Sequence, residues 1–108
     1  MRKIERQMLQ ALVEVKDWSK DNTRVETNGH YSDVYLHGHR IAVYYPSDST
    51  LHINNCGYAT RTTKSRLNVL IDFVCGGVNN GIFQKGWNWY LVKDGKQSYF
   101  PSNEWVAV

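Results

Sequence analysis

The chain has 108 residues, of which 42% are hydrophobic and 21% are charged, and its formal net charge is +3. This composition excludes an intrinsically disordered chain, and the length predicts a single domain over residues 1–108. The charged N-terminus lacks the apolar segment of a signal peptide, and no apolar run approaches the roughly 20 residues of a membrane span. We therefore expect no membrane partner. The weak positive charge is compatible with nucleic acid but does not by itself predict it.

The N-terminal half predicts one helix followed by a four-stranded meander. The helix is assigned to residues 3–19 because apolar side chains recur on one face, at Ile4, Met8, Ala11, Leu12, Val15 and Trp18. Alternating apolar and polar residues then predict strands at 23–27, 31–36, 39–45 and 50–54. Asn28-Gly29, between the first two strands, is typical of a two-residue type I′ turn, which needs positive φ at both central positions.

A second helix over residues 63–75 has the clearest periodic signal in the sequence. Four apolar residues share one face at spacings i, i+3, i+4 and i+7, namely Leu67, Leu70, Ile71 and Val74. Either Thr62 or Thr63 is the predicted N-cap, since its hydroxyl can accept a hydrogen bond from a free N–H of the first turn. Gly76-Gly77 is the predicted end of the helix, because glycine adopts the left-handed C-cap conformation without a Cβ clash.

The C-terminal part predicts three more strands, at 82–85, 87–92 and 97–100, and a short tail at 104–108 that Trp105 anchors. This order of elements, with hairpin turns throughout, is typical of an α+β domain. We expect an antiparallel sheet, made of the meander and a C-terminal hairpin, with two α-helices on one face.

The available metal ligands do not follow a metal-binding pattern. They are His30, His37, His39, His52 and Cys56. A zinc site needs three or four converging ligands, and these histidines sit two apart around a turn, with neither a helical His pair nor paired cysteines. We expect solvent-facing histidines, no metal and no other cofactor. Both cysteines, Cys56 and Cys75, are expected to be free thiols of a cytosolic protein.

No combination of residues predicts catalysis. Asp33 and Asp48 lie in a predicted strand and a predicted turn, with no sign in the sequence that they meet in space. A glycine-rich phosphate loop and a nucleophile elbow are both absent from the sequence. We therefore expect a protein that is not an enzyme.

The strongest candidate binding site is the start of the second helix, at residues 61–66. Three cations and three hydroxyls lie there, in the order Arg61, Thr62, Thr63, Lys64, Ser65 and Arg66. Free N–H groups and the positive dipole end favour an anion at a helix start, whereas cations oppose that dipole. The expected ligand is a phosphate or an acidic partner. The alternative is structural: the threonines cap the helix, Lys64 and Arg66 are solvated, and Arg66 pairs with a carboxylate.

The aromatic C-terminal strand is the second candidate. Trp87 and Trp89 are predicted to share one face of that strand, with Tyr90 on the other, and lysines are interleaved. Aromatic residues beside cations can stack on bases or anchor a protein interface. We expect one tryptophan to be buried and the other exposed, and we add Lys85 and Trp87 to the candidate binding residues.

Several short motifs over roughly residues 1–92 carry a family resemblance. They are Leu36-His37-Gly38, Ile41-Ala42, Cys56-Gly57-Tyr58, Thr60, the run TTKSRLN from Thr62, the run IFQK from Ile82, and Trp89-Tyr90. Together they are similar to a family of small uncharacterised accessory proteins of tailed bacteriophages. The resemblance implies a protein of the cytoplasm of an infected bacterium, and it brings no catalytic or binding residue with it.

Two functions follow as expectations. The first is a non-catalytic phage protein that binds and inhibits or redirects a host or defence protein, of the anti-CRISPR or anti-restriction type. The alternative is a nucleic-acid-binding protein that uses the basic helix start and the aromatic strand.

Overall fold

The computed structural model describes residues 1–76 and 78–108, and it confirms the predicted α+β class. Two helices and nine strands follow one another in these residues. In chain order they are α1 (Lys3–Glu14), β1 (Trp18–Lys20), β2 (Thr23–Thr27), β3 (Ser32–Leu36), β4 (His39–Tyr45), β5 (Thr50–Ile53), α2 (Arg61–Cys75), β6 (Gly81–Lys85), β7 (Asn88–Lys93), β8 (Lys96–Tyr99) and β9 (Val106–Ala107).

The strands form two antiparallel sheets. The larger has the order β1-β2-β3-β4-β5-β9, and the smaller has the order β6-β7-β8. The C-terminal tail therefore leaves the smaller sheet and returns to the larger one, where Val106 pairs with Ile53. Trp105 packs under the guanidinium of Arg40, 5.2 Å from the ring centroid. The tail is thus held both by the strand pairing of β9 and by Trp105, the residue that the sequence predicted as its anchor.

The first helix is shorter than predicted and ends at Glu14. Val15 adopts a left-handed conformation at φ 54°, and the N–H of Lys16 donates to the Ala11 carbonyl at 3.0 Å. The next residues form β1, in which Trp18 pairs with Val25 of β2. The predicted continuation to residue 19 was wrong because strand pairing satisfies these backbone groups better than another helical turn does.

The turn at Asn28 is longer than the predicted two residues. Thr27 pairs with Ser32, so four residues lie in the loop. The Asn28 side chain accepts hydrogen bonds from the N–H groups of His30 and Tyr31, at 2.9 and 3.0 Å. An asparagine side chain that bonds the backbone two residues further on stabilises an open loop, and this interaction takes the place of the type I′ geometry.

The core lies between the two helices, one face of the larger sheet and the inner side of the smaller sheet. Helix α1 contacts β2, α2 contacts β5, and the helices contact each other. Leu67, Leu70 and Ile71 of the predicted α2 face are fully buried, whereas Val74 is half-buried. The helix ends at Gly76, with φ 66° and its N–H donating to the Asp72 carbonyl at 2.9 Å; Gly77 lies outside the described residues.

Asn68 joins α2 to the smaller sheet. Its amide donates to the Ile82 carbonyl at 3.0 Å and accepts from the Ile82 N–H at 2.6 Å, so one side chain replaces a neighbouring strand at that position. A Cβ on Gly81 would lie 3.0 Å from Asn68 Oδ1, which explains why glycine precedes Ile82. The helix therefore fixes the position of β6 and of the hairpin that follows it.

Candidate functional site

The N-cap of α2 is Thr60, two or three residues earlier than predicted. Its Oγ1 accepts the N–H of Thr63 at 3.1 Å, and the two hydroxyls lie 2.9 Å apart. Thr63 is buried beneath this cap. The helix begins at Arg61 because Thr60 is the residue whose extended backbone lets its hydroxyl reach the first turn. Thr63 is thus occupied in capping and packing.

Arg66 is buried in an ion pair with Glu5 of α1. Its Nη1 lies 2.9 Å from Glu5 Oε2, its Nε donates to Thr23 of β2 at 3.1 Å, and Ser65 donates to the same carboxylate oxygen at 2.6 Å. Only 3% of Arg66 and 1% of Glu5 are exposed to solvent. Arg66 therefore joins α1, α2 and β2. The structural alternative was right that Arg66 pairs with a carboxylate and wrong that it is solvated. Arg66, which was predicted to face a partner, is buried instead, and the hydroxyl of half-buried Ser65 donates to Glu5.

The pKa of Glu5 reflects this network. Burial by itself raises the pKa of the carboxyl, but hydrogen bonds from Ser65 and Arg66 and the charge of Arg66 together hold the pKa below its usual value. A carboxyl with a lowered pKa in the folded state stabilises the fold above the pKa of the unfolded chain, about 4.3, and this stabilisation is lost as pH falls through the folded pKa.

Acidification is accordingly expected to destabilise the wild type more steeply than a Glu5→Gln variant. The measurement is the free energy of unfolding in urea at several values between about pH 7 and pH 3. Burial raises the pKa of Asp33, which acts in the opposite direction, but Asp33 is present in both proteins and cancels in the comparison. Equal slopes below about pH 4.5 would show that Glu5 does not titrate differently on unfolding.

Arg61, Thr62 and Lys64 remain accessible at the start of α2. Arg61 is exposed, and Thr62 and Lys64 are half-buried. Thr62 lies on the rim of a cleft of about 250 Å³ whose other walls come from the β3–β4 turn and the segment before α2. The remaining lining residues are Leu36, His37, His39, Ile41, Asn55, Tyr58, Thr60 and Thr63.

The histidines and cysteines do not form a metal centre in the part of the chain that the structure describes, where groups of three potential ligands are absent. His39 packs on Tyr58, with ring centroids 4.6 Å apart. The Cys56 thiol donates to the Arg40 carbonyl at 3.1 Å, and burial raises its pKa, which disfavours the thiolate. Both cysteines are free thiols.

The smaller sheet carries a row of aromatic side chains across its outer surface. Phe83 pairs with Tyr90, and Tyr90 pairs with Tyr99, so the three rings lie side by side on three strands. Phe83 stacks on Tyr90 at 5.4 Å between centroids, and Tyr99 meets Tyr90 edge-on at 6.2 Å. We call these three residues the aromatic face. Sequence reasoning missed it, because the register between strands is what aligns the rings.

Of the two tryptophans of this region, one is buried and the other is exposed, which confirms the expectation from the sequence. Trp89 is buried and stacks on Phe100, whereas Trp87 is 94% exposed. Trp87 lies in the turn between β6 and β7 and not on the strand, so it does not share the inward face of Trp89 as predicted. Lys85, two residues before Trp87, is exposed at the end of β6.

The two predicted parts of the site are not joined by contacts. Across residues 1–76 and 78–108, none of the hydrogen bonds, ion pairs or ring contacts connects residues 61–66 with Lys85 or Trp87. The hydrogen bonds between α2 and β6 are made by Asn68, about two helical turns after Arg61. The accessible parts of the predicted site are therefore the start of α2 and, separately, Lys85 with Trp87 at the end of β6.

The fold and these surfaces define a small α+β protein that presents aromatic and basic side chains to solvent. The chain belongs to the Kyanoviridae Gp96 protein family, a bacteriophage family whose model matches residues 1–107. The phage origin that the motifs implied is thereby confirmed. Searches against curated proteins and against solved structures each found no match. Within the described residues, neither helix has the length and apolar character that crossing a membrane requires.

Proposed function

We propose that the protein is a non-catalytic phage accessory protein that binds a host or defence protein and inhibits or redirects it, in the manner of anti-CRISPR or anti-restriction inhibitors. The single observation that carries the proposal is Trp87, an indole that is 94% exposed at a hairpin tip. Burying such a ring in a partner removes a large apolar area from water, and tryptophan is among the residues that dominate binding energy at interfaces.

The surroundings of Trp87 suit a protein partner. Lys85 precedes the turn. It lies two positions after Phe83 on β6, so its side chain is on the same side of the sheet as the aromatic face. Tyrosine and tryptophan supply contact area with few rotatable bonds, and a cation beside them adds selectivity for an acidic surface. The rigid sheet beneath is held to α2 through Asn68. The hairpin is therefore presented in a fixed position before binding.

Arg61, Thr62 and Lys64 form the second part of the proposed binding surface. Their two cations lie at the positive end of the α2 dipole, where they gain from a nearby anion. Acidic groups of the partner would be attracted to them from solution. Thr63, Ser65 and Arg66 do not take part, because their side chains are engaged within the fold.

Trp87→Ala is expected to weaken binding of the partner by about tenfold or more, with the fold unchanged. The tagged protein is used to capture partners from host lysate with and without nuclease, and the affinity of a captured protein is then measured for both variants. Val78→Ala is the matched control, since Val78 is 98% exposed but lies outside the hairpin tip. If the partner binds Trp87→Ala and the wild type with equal affinity, the binding surface lies elsewhere.

The functional consequence is measured in cells. A host that carries a CRISPR or restriction system is transformed with a targeted plasmid, with and without the wild-type protein or Trp87→Ala. Higher transformation with the wild type alone supports inhibition through this surface. Equal transformation in all strains, across the defence systems of the host, contradicts the inhibitor function.

Nucleic acid is a second candidate, favoured by the aromatic face and Lys85. Rings aligned on neighbouring strands can stack on successive bases, while lysines contact phosphates. In that case a single-stranded oligonucleotide binds with a strong salt dependence, and the slope of log K against log salt falls by about one unit when Lys85 is replaced by alanine. A partner that is lost on nuclease treatment supports this candidate.

A further inference from the structure

The edges of the two sheets differ in whether another strand can join them. In the larger sheet, edge strand β1 has three residues and edge strand β9 has two. In the smaller sheet, the Asn68 amide occupies the edge of β6 at Ile82. Strand β8 has four exposed residues and, among the described residues, pairs only with β7. It is therefore the longest edge that remains open.

The hydrogen-bond pattern shows which residues of β8 face that open edge. The N–H of Phe100 donates to the Trp89 carbonyl at 2.9 Å, so these two residues form a hydrogen-bonded pair. Such pairs alternate along an antiparallel ladder, which makes Leu91 and Ser98 the next one. The N–H and C=O groups of Gln97 and Tyr99 consequently point away from β7, towards solvent.

The charge around this edge is positive. Between residues 81 and 100 the chain has three lysines, Lys85, Lys93 and Lys96, and one acidic residue, Asp94. Lys93 and Lys96 pair with each other across β7 and β8, and neither has an ion-pair partner in the described part of the chain. A second copy of this chain would bring the same positive charges together. An acidic strand would be attracted instead, because an edge lysine disfavours neutral and basic strands.

We infer that β8 binds an extended acidic segment of the partner by strand addition. This inference rests on the proposed function, since it states how the partner of that binding protein is held. Gln97 and Tyr99 provide the backbone hydrogen bonds, and Lys93 and Lys96 pair with carboxylates of the added strand. The added strand lies beside Tyr99, which is 59% exposed at the end of the aromatic face, so a side chain of the partner extends the row of rings.

The test uses a capped hexapeptide in which glutamate alternates with valine, and a lysine–valine peptide as its control. Amide exchange of the isotope-labelled protein is followed by NMR. At saturating glutamate–valine peptide, exchange of the Gln97 and Tyr99 amides is expected to slow, while that of Ser98 is unchanged because its N–H already bonds β7. The lysine–valine peptide is expected to bind about tenfold more weakly or less.

Gln97→Pro and Gln97→Ala separate backbone from side-chain recognition. Proline lacks the N–H and is tolerated on an edge strand where that N–H faces solvent, so both variants are expected to keep the fold and the melting temperature close to wild type. Gln97→Pro is expected to weaken peptide binding about tenfold through the lost hydrogen bond and the bulk of its ring, and Gln97→Ala to leave it unchanged.

Unchanged exchange of Gln97 and Tyr99 at saturating peptide overturns strand addition, and this readout does not depend on any variant folding. Equal affinity of the proline and alanine variants overturns it as well. A single-stranded oligonucleotide that binds the aromatic face while the peptide does not bind likewise overturns it. If a captured partner is lost with Trp87→Ala but retained with Gln97→Pro, the proposed function stands and the inference fails. If no captured partner survives nuclease treatment, the proposed function itself is contradicted.

Discussion

Arg66→Ala is expected to lower the free energy of unfolding by about 3–5 kcal/mol, the largest effect expected for a single substitution within residues 61–66. The change removes the guanidinium but leaves Glu5 buried at 1% exposure, with Ser65 as its main remaining partner. A buried carboxylate that loses its counter-ion must be either desolvated as a charge or protonated, and both states cost free energy. Thr23 also loses the donor that reaches its hydroxyl.

Urea denaturation at neutral pH measures this effect, and Arg61→Ala is the matched control. Arg61 lies five residues earlier on the same helix and is exposed, so its removal is expected to change stability by no more than about 0.5 kcal/mol. If the two variants were equally stable, Arg66 would not contribute its charge to the core. A double variant, Glu5→Leu with Arg66→Met, is expected to recover much of the lost stability, because apolar pairs replace buried ion pairs well.

Leu70→Ala is expected to destabilise the protein by about 2–5 kcal/mol. Leu70 is fully buried in the core between α2 and the larger sheet, with Leu67 and Ile71 beside it on the helix. Removing its side-chain atoms loses their transfer free energy and leaves a cavity that a close-packed core fills only in part.

The comparison for Leu70→Ala is Val13→Ala, which shortens an apolar side chain on the exposed side of α1. Val13 is mostly exposed, and alanine has the higher helix propensity, so this variant is expected to stay within about 0.5 kcal/mol of wild type. Both are measured by urea denaturation with the m-value as a check on two-state behaviour. A loss below about 1 kcal/mol for Leu70→Ala would mean that α2 does not pack on the sheet as described.

Helix α2 links the two expected stability effects to the proposed binding surface. Its buried side holds the core through Leu70 and the ion pair through Arg66, and its Asn68 amide holds β6. The hairpin that presents Trp87 therefore depends on α2 for its position. Variants that test binding are best made on the exposed residues of the hairpin, because changes in α2 alter stability and presentation together.

The sequence alone determined those features that depend on neighbours close in the chain. The spacing of Leu67, Leu70 and Ile71 predicted the buried face of α2, because helical periodicity acts over a few residues. Alternation and turn residues predicted the ends of most strands to within two residues. The order of these elements also predicted the α+β class. The composition of the C-terminal region was enough to expect one buried and one exposed tryptophan.

Only the tertiary structure decided which residues of the predicted site are free. Arg66 finds Glu5 61 positions away in the chain, and no local pattern in the sequence identifies such a partner. Residues 18–20 became a strand because β2 was available for pairing, which outweighed the helical spacing of Trp18. The aromatic face depends on the register between three strands. Long-range pairing selects among local preferences of nearly equal free energy, so local pattern predicts elements while the packed structure determines which side chains remain exposed.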